Sequence, residues 1–229
     1  MKLLDIAPIR LRQQQLARGD GTSPSDVVRW LGAVQAQDYA GARWALGLRV
    51  KGTTDEDVAR AFDAGTILRT HMLRPTWHFV APEDIRWVQA LTAPRVHAAN
   101  CSYYRKLELD DRLLARSRAV FERTLDGGAH RTRTELASAL ARAGIVADGH
   151  RLAYLVMHAA LERVICSGPR RGKQFTYARL DERAPGARTL ARDEALAALT
   201  RHYFSSHGRI PATELRRVPD RVQGSRHCG

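Results

Sequence analysis

Gln35 and Gln37 stand two residues apart, a spacing that could support chemistry in one backbone conformation. We expect Asp38 to cap the next helix, which would leave both glutamines in extended backbone, where residues i and i+2 share a face. Two side-chain amides on one face could hold a single water molecule or the edge of a base. The alternative is that both amides only satisfy backbone groups at a helix junction.

Glutamine restricts the reactions that such a pair could support. Its amide does not take up a proton near neutral pH, so it cannot act as a general base. A reaction that uses it must depend on orientation and on stabilisation of charge. Hydrolysis of an N3- or N7-alkylpurine nucleoside fits, because the base is already cationic and leaves without an acid. The catalytic pair would then place water against an oxocarbenium-like sugar.

His78 is a further candidate catalytic residue. It lies in RPTWHFV at 74–80, where strand alternation puts Thr76 and His78 on one face and Trp77 and Phe79 on the other. We expect the aromatic pair to face the core, so Thr76 and His78 would face a groove or an active site. A surface histidine without a role is the alternative.

The segment that contains His78, TILRTHMLRPTWHFV at 66–80, is typical of a β-hairpin. A basic hairpin that follows a short helix, here 55–63, is how a winged helix contacts the phosphate backbone. We therefore predict that Arg69, Arg74 and Thr76 bind DNA. The alternative is a solvated hairpin that covers a small helical core. Four residues of the segment can carry positive charge and predict a basic tip: Arg69, His71, Arg74 and His78.

A similar order of elements is predicted from about 130 to 181. A helix capped by Thr132 or Thr134 is followed by a long amphipathic helix from His150 to Cys166. The next segment, SGPRRGKQFTYARL, has the composition of a basic turn and a strand, and it forms a second candidate wing. Its predicted DNA-binding residues are Arg170, Arg171 and Lys173.

The predicted fold is mainly α with small β-hairpins, arranged as tandem winged-helix (helix-turn-helix) units. Helices are expected at 82–104, 110–125 and 191–204 between and after these units. The tail that follows is basic and poor in apolar residues, so it cannot pack a further domain. We divide the chain into a first winged-helix unit at 1–81, a helical linker at 82–128, a second winged-helix unit at 129–188, and the start of an incomplete third unit with a tail at 189–229.

The charge balance indicates the class of partner. The chain has 37 Lys+Arg against 24 Asp+Glu, a formal net charge of +13. Such a surplus favours a polyanion, most often nucleic acid, although an arginine-rich composition can also reflect a GC-rich genome. The helices have the pattern of core-packing helices, which disfavours a membrane surface. No segment has the length and apolarity of a signal peptide or a membrane span, so we expect a cytoplasmic, nucleoid-associated protein.

The cysteines give no indication of a metal site. Cys101, Cys166 and Cys228 are far apart and show neither CxxC nor Cys/His ligand spacing. We therefore predict no metal and no cofactor, and the expected partner is double-stranded DNA. The sequence indicates no particular protein partner.

Several stretches in order resemble the bacterial AlkZ/YcaQ-type family. They are VVRWLGAVQAQD at 27–38, LRTHMLRPTWHFVAPEDIRWVQAL at 68–91, and ALERVICSGPRRGKQFTYARLDER at 160–183 followed by RHYFSSHG. The resemblance implies tandem winged helices that bind DNA. Characterised members of that family are DNA glycosylases that unhook alkylated bases and interstrand crosslinks.

In those glycosylases a catalytic Gln-x-Gln or Gln-x-Asp motif occupies the position of Gln35-Ala36-Gln37. The resemblance thus implies a monofunctional DNA glycosylase that hydrolyses the N-glycosidic bond. A non-enzymatic DNA-binding or regulatory protein and an inactive fragment are the alternatives. Family members usually continue through a third winged helix and a C-terminal β-rich region, so we expect this chain to be C-terminally truncated relative to them.

Overall fold

The structure is a computed structural model that describes residues 6–17, 19 and 21–208. Helices dominate it, and short strands lie between them. The elements in chain order are α1 (Ile6–Gln13), α2 (Pro24–Leu31), β1 (Val34–Gln35), α3 (Tyr39–Gly47), α4 (Asp55–Ala64), β2 (Leu68–Met72), β3 (Arg74–Val80), α5 (Ile85–Lys106), α6 (Asp111–Leu125), β4 (Arg131–Thr132), α7 (Arg133–Arg142), α8 (Gly149–Leu161), β5 (Ile165–Ser167), β6 (Thr176–Arg179), α9 (Leu180–Arg183) and α10 (Arg192–His207).

Local capping residues define the helices of the first half. The sequence S-P-S-D at 23–26 predicts a helix start with a hydroxyl cap, and the residues that follow predict a helix through Gln35. The start is confirmed, because the Ser23 hydroxyl accepts a hydrogen bond from the Asp26 amide at the start of α2, but the continuation through Gln35 is wrong. Gly32, with a φ of 77°, ends the helix, and the chain then extends into β1. This change from helix to strand places the two glutamines beside the hairpin.

The hairpin predicted at 66–80 is confirmed. β2 and β3 pair antiparallel from Leu68 opposite Val80 to Met72 opposite Arg74, with Leu73 at the turn. β1 joins the free edge of β3 and gives the sheet order β1-β3-β2. The core under this sheet is apolar and contains, among others, Val27, Leu46, Phe62, Ile67 and Phe79.

The second half repeats the order of the first. α6, β4, α7, α8, β5 and β6 follow one another as α2, β1, α3, α4, β2 and β3 do, and the second sheet has the order β4-β6-β5. Thr132 and Glu135 form the capping box of α7, which confirms the first of the two predicted caps. The helix predicted to reach Cys166 ends at Leu161, because Arg163 adopts a φ of 63° and Ile165 starts β5.

α5 connects the two halves by packing as well as by sequence. The predicted helices at 82–104 and 110–125 are present, with small shifts, as α5 and α6. Gln89 on α5 is fully buried and donates hydrogen bonds to the Thr70 hydroxyl at 2.8 Å and to the Ala160 carbonyl at 2.7 Å. Arg69 also donates its backbone N–H to the Ser167 hydroxyl at 2.8 Å. The two sheets are therefore held together by polar contacts inside the protein.

α10 corresponds to the helix predicted at 191–204. It packs against α1, α2 and α5, with Ala195 buried and Leu199 partly buried, while Leu196, Tyr203 and Phe204 are exposed. That this helix begins a third unit stays a prediction, and the predicted tail at 209–229 lies outside the described residues. Within the described part of the chain, no helix combines the length and apolarity needed to cross a bilayer.

Candidate active site

Gln35 lies in the extended backbone of β1, as predicted, whereas Gln37 lies in the bend between β1 and α3. Ala36 between them is fully buried and donates its N–H to the Trp77 carbonyl at 2.8 Å, while both glutamines are exposed. Asp38 caps α3 by accepting a hydrogen bond from the Ala40 amide at 3.1 Å. Both amides lie at the edge of the first sheet, where they contact Arg74 and Trp77 of β3.

The two amide oxygens already have partners. Gln37 Oε1 accepts from the Trp77 backbone N–H at 3.2 Å, and Gln35 Oε1 accepts from Arg74 Nη2 at 3.3 Å. Among the described residues, the side-chain NH₂ groups of the glutamines find no acceptor. Each amide oxygen has two lone pairs, so both amides can still accept and donate toward a ligand. Gln37 satisfies a backbone group and remains available for binding.

Arg69 is buried beneath this motif. Its side chain is 7% exposed, and its Nε donates to the Ala36 carbonyl at 3.1 Å. Its guanidinium carbon lies 4.5 Å from the centre of the Trp77 ring and 4.6 Å from that of Phe175. Burial lowers the pKa of Arg69 to about 10, which still leaves it charged at neutral pH. The predicted position of Arg69 on an exposed basic tip is therefore wrong.

His78 shares the face of Gln35 but lies below the surface. It pairs with Gln35 across β1 and β3, so the two side chains project to the same side of the sheet. It is 2% exposed, and its Nδ1 lies 3.0 Å from the Thr76 carbonyl oxygen. Burial lowers the pKa of His78 to about 4, so the ring is neutral near pH 7. The expected orientation is correct, but the expected exposure is wrong, because the ring is buried.

Other residues of the hairpin also differ from the prediction. His71 is buried, which leaves Arg74 as the exposed one of the four cationic side chains predicted at the tip. Thr76 is half-buried and its hydroxyl finds no partner among the described residues. Phe79 is in the core as predicted, but Trp77 is only partly buried. The centre of the Trp77 ring lies 3.8 Å from that of the His71 ring, and the two rings are tilted by 39°.

A cavity of about 400 Å³ opens between the two sheets. Three aromatic residues line it, Trp77 from β3 and Phe175 and Tyr177 from the second wing segment. Arg133 in the first turn of α7 and Lys173 provide positive charge at its border. The sequence patterns described above do not predict this cavity. The Phe-Thr-Tyr run after the basic turn was its one local signal, since alternate residues of a strand share a face.

The basic turn of the second hairpin is partly occupied by internal contacts. Arg170 donates its backbone N–H to Asp63 Oδ1 at 2.7 Å and its Nη2 to the Lys173 carbonyl at 2.6 Å. Arg171 pairs with Glu135 at 2.9 Å. Lys173 is exposed, so of the three predicted DNA-binding residues it has the greatest freedom to contact a phosphate.

The family follows from a comparison of sequences. The sequence model of the DNA glycosylase AlkZ-like family matches residues 28–217, which is more than half of the chain. The chain belongs to the AlkZ-like family. The family expected from the sequence motifs is thus confirmed, and the matched range includes both glutamines and both hairpins. No curated protein matches the chain.

The AlkZ-like fold is also seen in a solved structure. The chain is similar to the Streptomyces sahachiroi DNA glycosylase AlkZ, with a TM-score of 0.72 and 24% sequence identity. The match covers 87% of this chain and 55% of that one, so the chain spans just over half of the length of that protein. At this identity, the comparison supports the fold of the AlkZ-like chain and not its activity.

Proposed function

We propose that this AlkZ-like protein binds duplex DNA and acts as a monofunctional DNA glycosylase on alkylated bases or interstrand crosslinks. The observation that carries the proposal is the position of Trp77. Trp77 contacts the Gln37 amide with its backbone N–H and lines, with its side chain, the cavity between the sheets, which can receive a base.

The chemistry assigned to Gln35 and Gln37 is orientation and charge stabilisation. A water molecule can donate to the free lone pair of either amide oxygen, and the same oxygens present the negative end of a dipole to a sugar that becomes cationic. A cationic alkylpurine leaves without protonation, so no general acid is required of these residues. His78 supports the Gln35 face from within and does not contact the substrate.

The cavity has the properties expected for an extruded base. Its volume lies in the range of roughly 300–1,000 Å³ that small-ligand sites occupy. Enzymes that act on a base in a duplex rotate it out of the stack into such a pocket and hold it against apolar and aromatic side chains. Trp77, Phe175 and Tyr177 provide those side chains here. Neither glutamine lines this cavity, and the Gln35 side chain projects with His78 from the opposite face of the first sheet.

The element order supports the assignment of two winged-helix units. Each half contains helix, strand, two helices and a hairpin, and each hairpin pairs with the preceding short strand. Arg74 is exposed on the first hairpin, and Arg133 and Lys173 are exposed on either side of the cavity. These three cations are the proposed phosphate contacts, because all three are exposed, Arg133 and Lys173 line the cavity, and Arg74 lies beside Gln35.

A second candidate function is DNA binding without catalysis. The bond from Trp77 N–H to Gln37 favours it, because this bond gives the glutamine a structural reason to be present. Under this alternative, the same cations would hold DNA and the amides would only terminate the pairing of β1 with β3. Such a protein would bind duplexes and release no base.

The deciding experiment is single-turnover excision from a duplex that contains N7-methylguanine, with a crosslinked duplex as a second substrate. We expect the parent protein to produce abasic sites, detected as strand breaks after alkali treatment, and Gln35→Ala with Gln37→Ala to produce far fewer. Binding of the undamaged duplex is measured in parallel. A parent that binds the duplex and excises from neither substrate supports the alternative.

A further inference from the structure

Two histidines and a glutamate converge away from the glutamines and the cavity. His97 lies on α5, His158 lies in the last turn of α8, and Glu162 follows immediately after α8. Potential ligand atoms of these residues all lie within 4.8 Å of one another. His158 and Glu162 are four residues apart, a spacing that places both on one helical face, toward α5.

The histidine rings are oriented as metal ligands usually are. His97 Nδ1 lies 2.9 Å from the Tyr104 hydroxyl, which fixes the ring and leaves Nε2 directed at Glu162. That Nε2 is 3.1 Å from Glu162 Oε1, but outside hydrogen-bond geometry. His158 is 7% exposed, and among the described residues its Nδ1 has no hydrogen-bond partner. His158 Nδ1 thus lacks the partner that a buried polar atom normally has, and His97 Nε2 faces the Glu162 carboxylate.

We propose that His97, His158 and Glu162 bind one divalent transition-metal ion, for which Zn²⁺ is the best chemical fit. Two imidazole nitrogens and one carboxylate oxygen form an N₂O set, which Zn²⁺ accepts in a tetrahedron with water as the fourth ligand. Ligand atoms around one Zn²⁺ lie roughly 3.3 Å apart, as follows from bonds of about 2.0–2.1 Å. Rotation of the partly exposed His97 and Glu162 side chains can close the remaining gap.

The position of the ion indicates a structural role. It would join α5 to the end of α8, and therefore the linking helix to the second half of the chain. The proposed site departs from the sequence prediction of no metal. His97 lies on α5, far along the chain from His158 and Glu162, so no linear spacing of ligands predicts the site. The i, i+4 pair of His158 and Glu162 is the one local signal, and it is common in helices without a metal.

Arg118 sets the expected affinity. Its Nη1 lies 3.6 Å from Glu162 Oε2, so it occupies the second carboxylate oxygen and places a positive charge next to the ion. Repulsion between the guanidinium and Zn²⁺ should keep the dissociation constant in the micromolar range. Arg118→Met, which retains the length of the side chain, should tighten Zn²⁺ binding about three- to thirtyfold. If these residues form only an ion-pair network and no metal site, this variant should not change the affinity for Zn²⁺.

The test is titration of the full chain after treatment with EDTA. We expect one equivalent of Zn²⁺ to bind by calorimetry, and Co²⁺ to give visible absorption bands typical of a tetrahedral site. His97→Gln and Glu162→Gln should each weaken binding by about 10- to 100-fold. His150→Gln, at an exposed histidine on α8, is the matched control and should bind as the parent does.

Circular dichroism of each variant shows whether it is folded, and the two partly exposed ligand positions are chosen so that folding is retained. If either variant fails to fold, the Arg118→Met and His150→Gln titrations still decide between the two explanations. A parent that binds no Zn²⁺ in the micromolar range overturns the proposal. So does binding that is unchanged in both ligand variants, or weakened by Arg118→Met.

Discussion

Arg69 and Ala36 are joined by a hydrogen bond that fixes the backbone between the two glutamines. The Arg69 Nε donates to the Ala36 carbonyl oxygen at 3.1 Å, and the guanidinium lies against the rings of Trp77 and Phe175. A guanidinium without a carboxylate partner is costly to bury. In this protein the aromatic faces and the carbonyl offset the cost, and the chain gains a rigid connection between the glutamine motif and the cavity.

We therefore expect Arg69→Met to destabilise the fold, although it removes a buried charge. The Ala36 carbonyl would lose its charged donor, and the cation–π contacts would disappear, a combined loss of about 1–3 kcal/mol. Arg69→Lys should also destabilise, because an ammonium cannot stack on the rings as a planar guanidinium does. The measurement is the free energy of unfolding in urea. Arg74→Gln, at the exposed arginine of the same hairpin, should change it by less than about 0.5 kcal/mol.

Local signals made several elements predictable from the sequence. Thr132 and Glu135 form the predicted type of helix start, Asp38 caps α3, and the hairpin at 66–80 has the expected strands. Each depends on residues within a few positions of one another. Backbone conformation is set by such short-range contacts, so the break between helices at the glutamines could be inferred as well.

Features that depend on tertiary contacts were not predictable. Arg69 and His78 lie in strands whose sequence is typical of a surface hairpin, yet both are buried, and the Arg69 backbone contacts Ser167 of the second half. Ile165 and Cys166 are predicted as the end of a helix but form the start of β5, because pairing with β6 decides their conformation. Residues from both sheets line the cavity, so no single segment of the sequence could predict it.

DNA binding should depend strongly on salt. If about five phosphates are neutralised, the slope of log affinity against log salt should be near −4 to −5. Lys173→Ala and Arg74→Ala should each reduce that slope by about 0.9, because both side chains are exposed, Lys173 at the cavity and Arg74 beside Gln35. Lys51→Ala, at an exposed lysine in the turn after α3, is the control and should leave the slope unchanged. An affinity that does not vary with salt would contradict the proposed phosphate contacts.

Arg171 should behave differently from Lys173 in the same experiment. It pairs with Glu135 at 2.9 Å and donates to the His130 carbonyl at 2.9 Å, so it supports the turn from within. We expect Arg171→Ala to lower the melting temperature while its effect on the salt slope stays well below that of Lys173→Ala. Equal effects of the two variants on the slope would show that Arg171 leaves Glu135 to bind DNA.

The buried histidines predict a loss of stability in acid. Burial lowers the pKa of His78 to about 4 and that of His71 to about 3, whereas both would titrate near 6.5 in the unfolded chain. The unfolded state therefore takes up protons that the folded state excludes, and stability falls as the pH drops below 6.5 toward these lower values. The expected loss is about 1.4 kcal/mol per pH unit for each histidine within that interval.

This expectation is checked by urea unfolding at pH 7.5 and pH 5.0. His78→Gln removes one titrating group, so its loss of stability between the two pH values should be smaller than that of the parent by about 2 kcal/mol. His150→Gln removes an exposed histidine and should match the parent. An unchanged pH dependence in His78→Gln would mean that His78 becomes protonated without unfolding.

Gln35 and Gln37 are expected to contribute to catalysis in the same way but to stability in different ways. Gln35 accepts a long bond from Arg74, whereas Gln37 is bonded to the Trp77 backbone N–H. Either alanine variant should lower single-turnover excision of an N7-alkylguanine by about 10- to 1000-fold, the range for one oriented group that acts in the transition state. Gln37→Ala should also cost about 1 kcal/mol of stability, because it leaves that N–H without its partner.

Gln37→Glu separates the structural contribution of Gln37 from the catalytic one. A carboxylate can still accept the Trp77 N–H bond, so stability should stay close to that of the parent, while the side chain loses its NH₂ donor and gains a charge. Duplex affinity should remain within a few-fold in all three variants, since phosphate contacts elsewhere dominate it. If Gln35→Ala keeps the stability and affinity of the parent and excises as fast, Gln35 is not catalytic. If the double variant also excises as fast as the parent, the catalytic assignment of both glutamines is wrong.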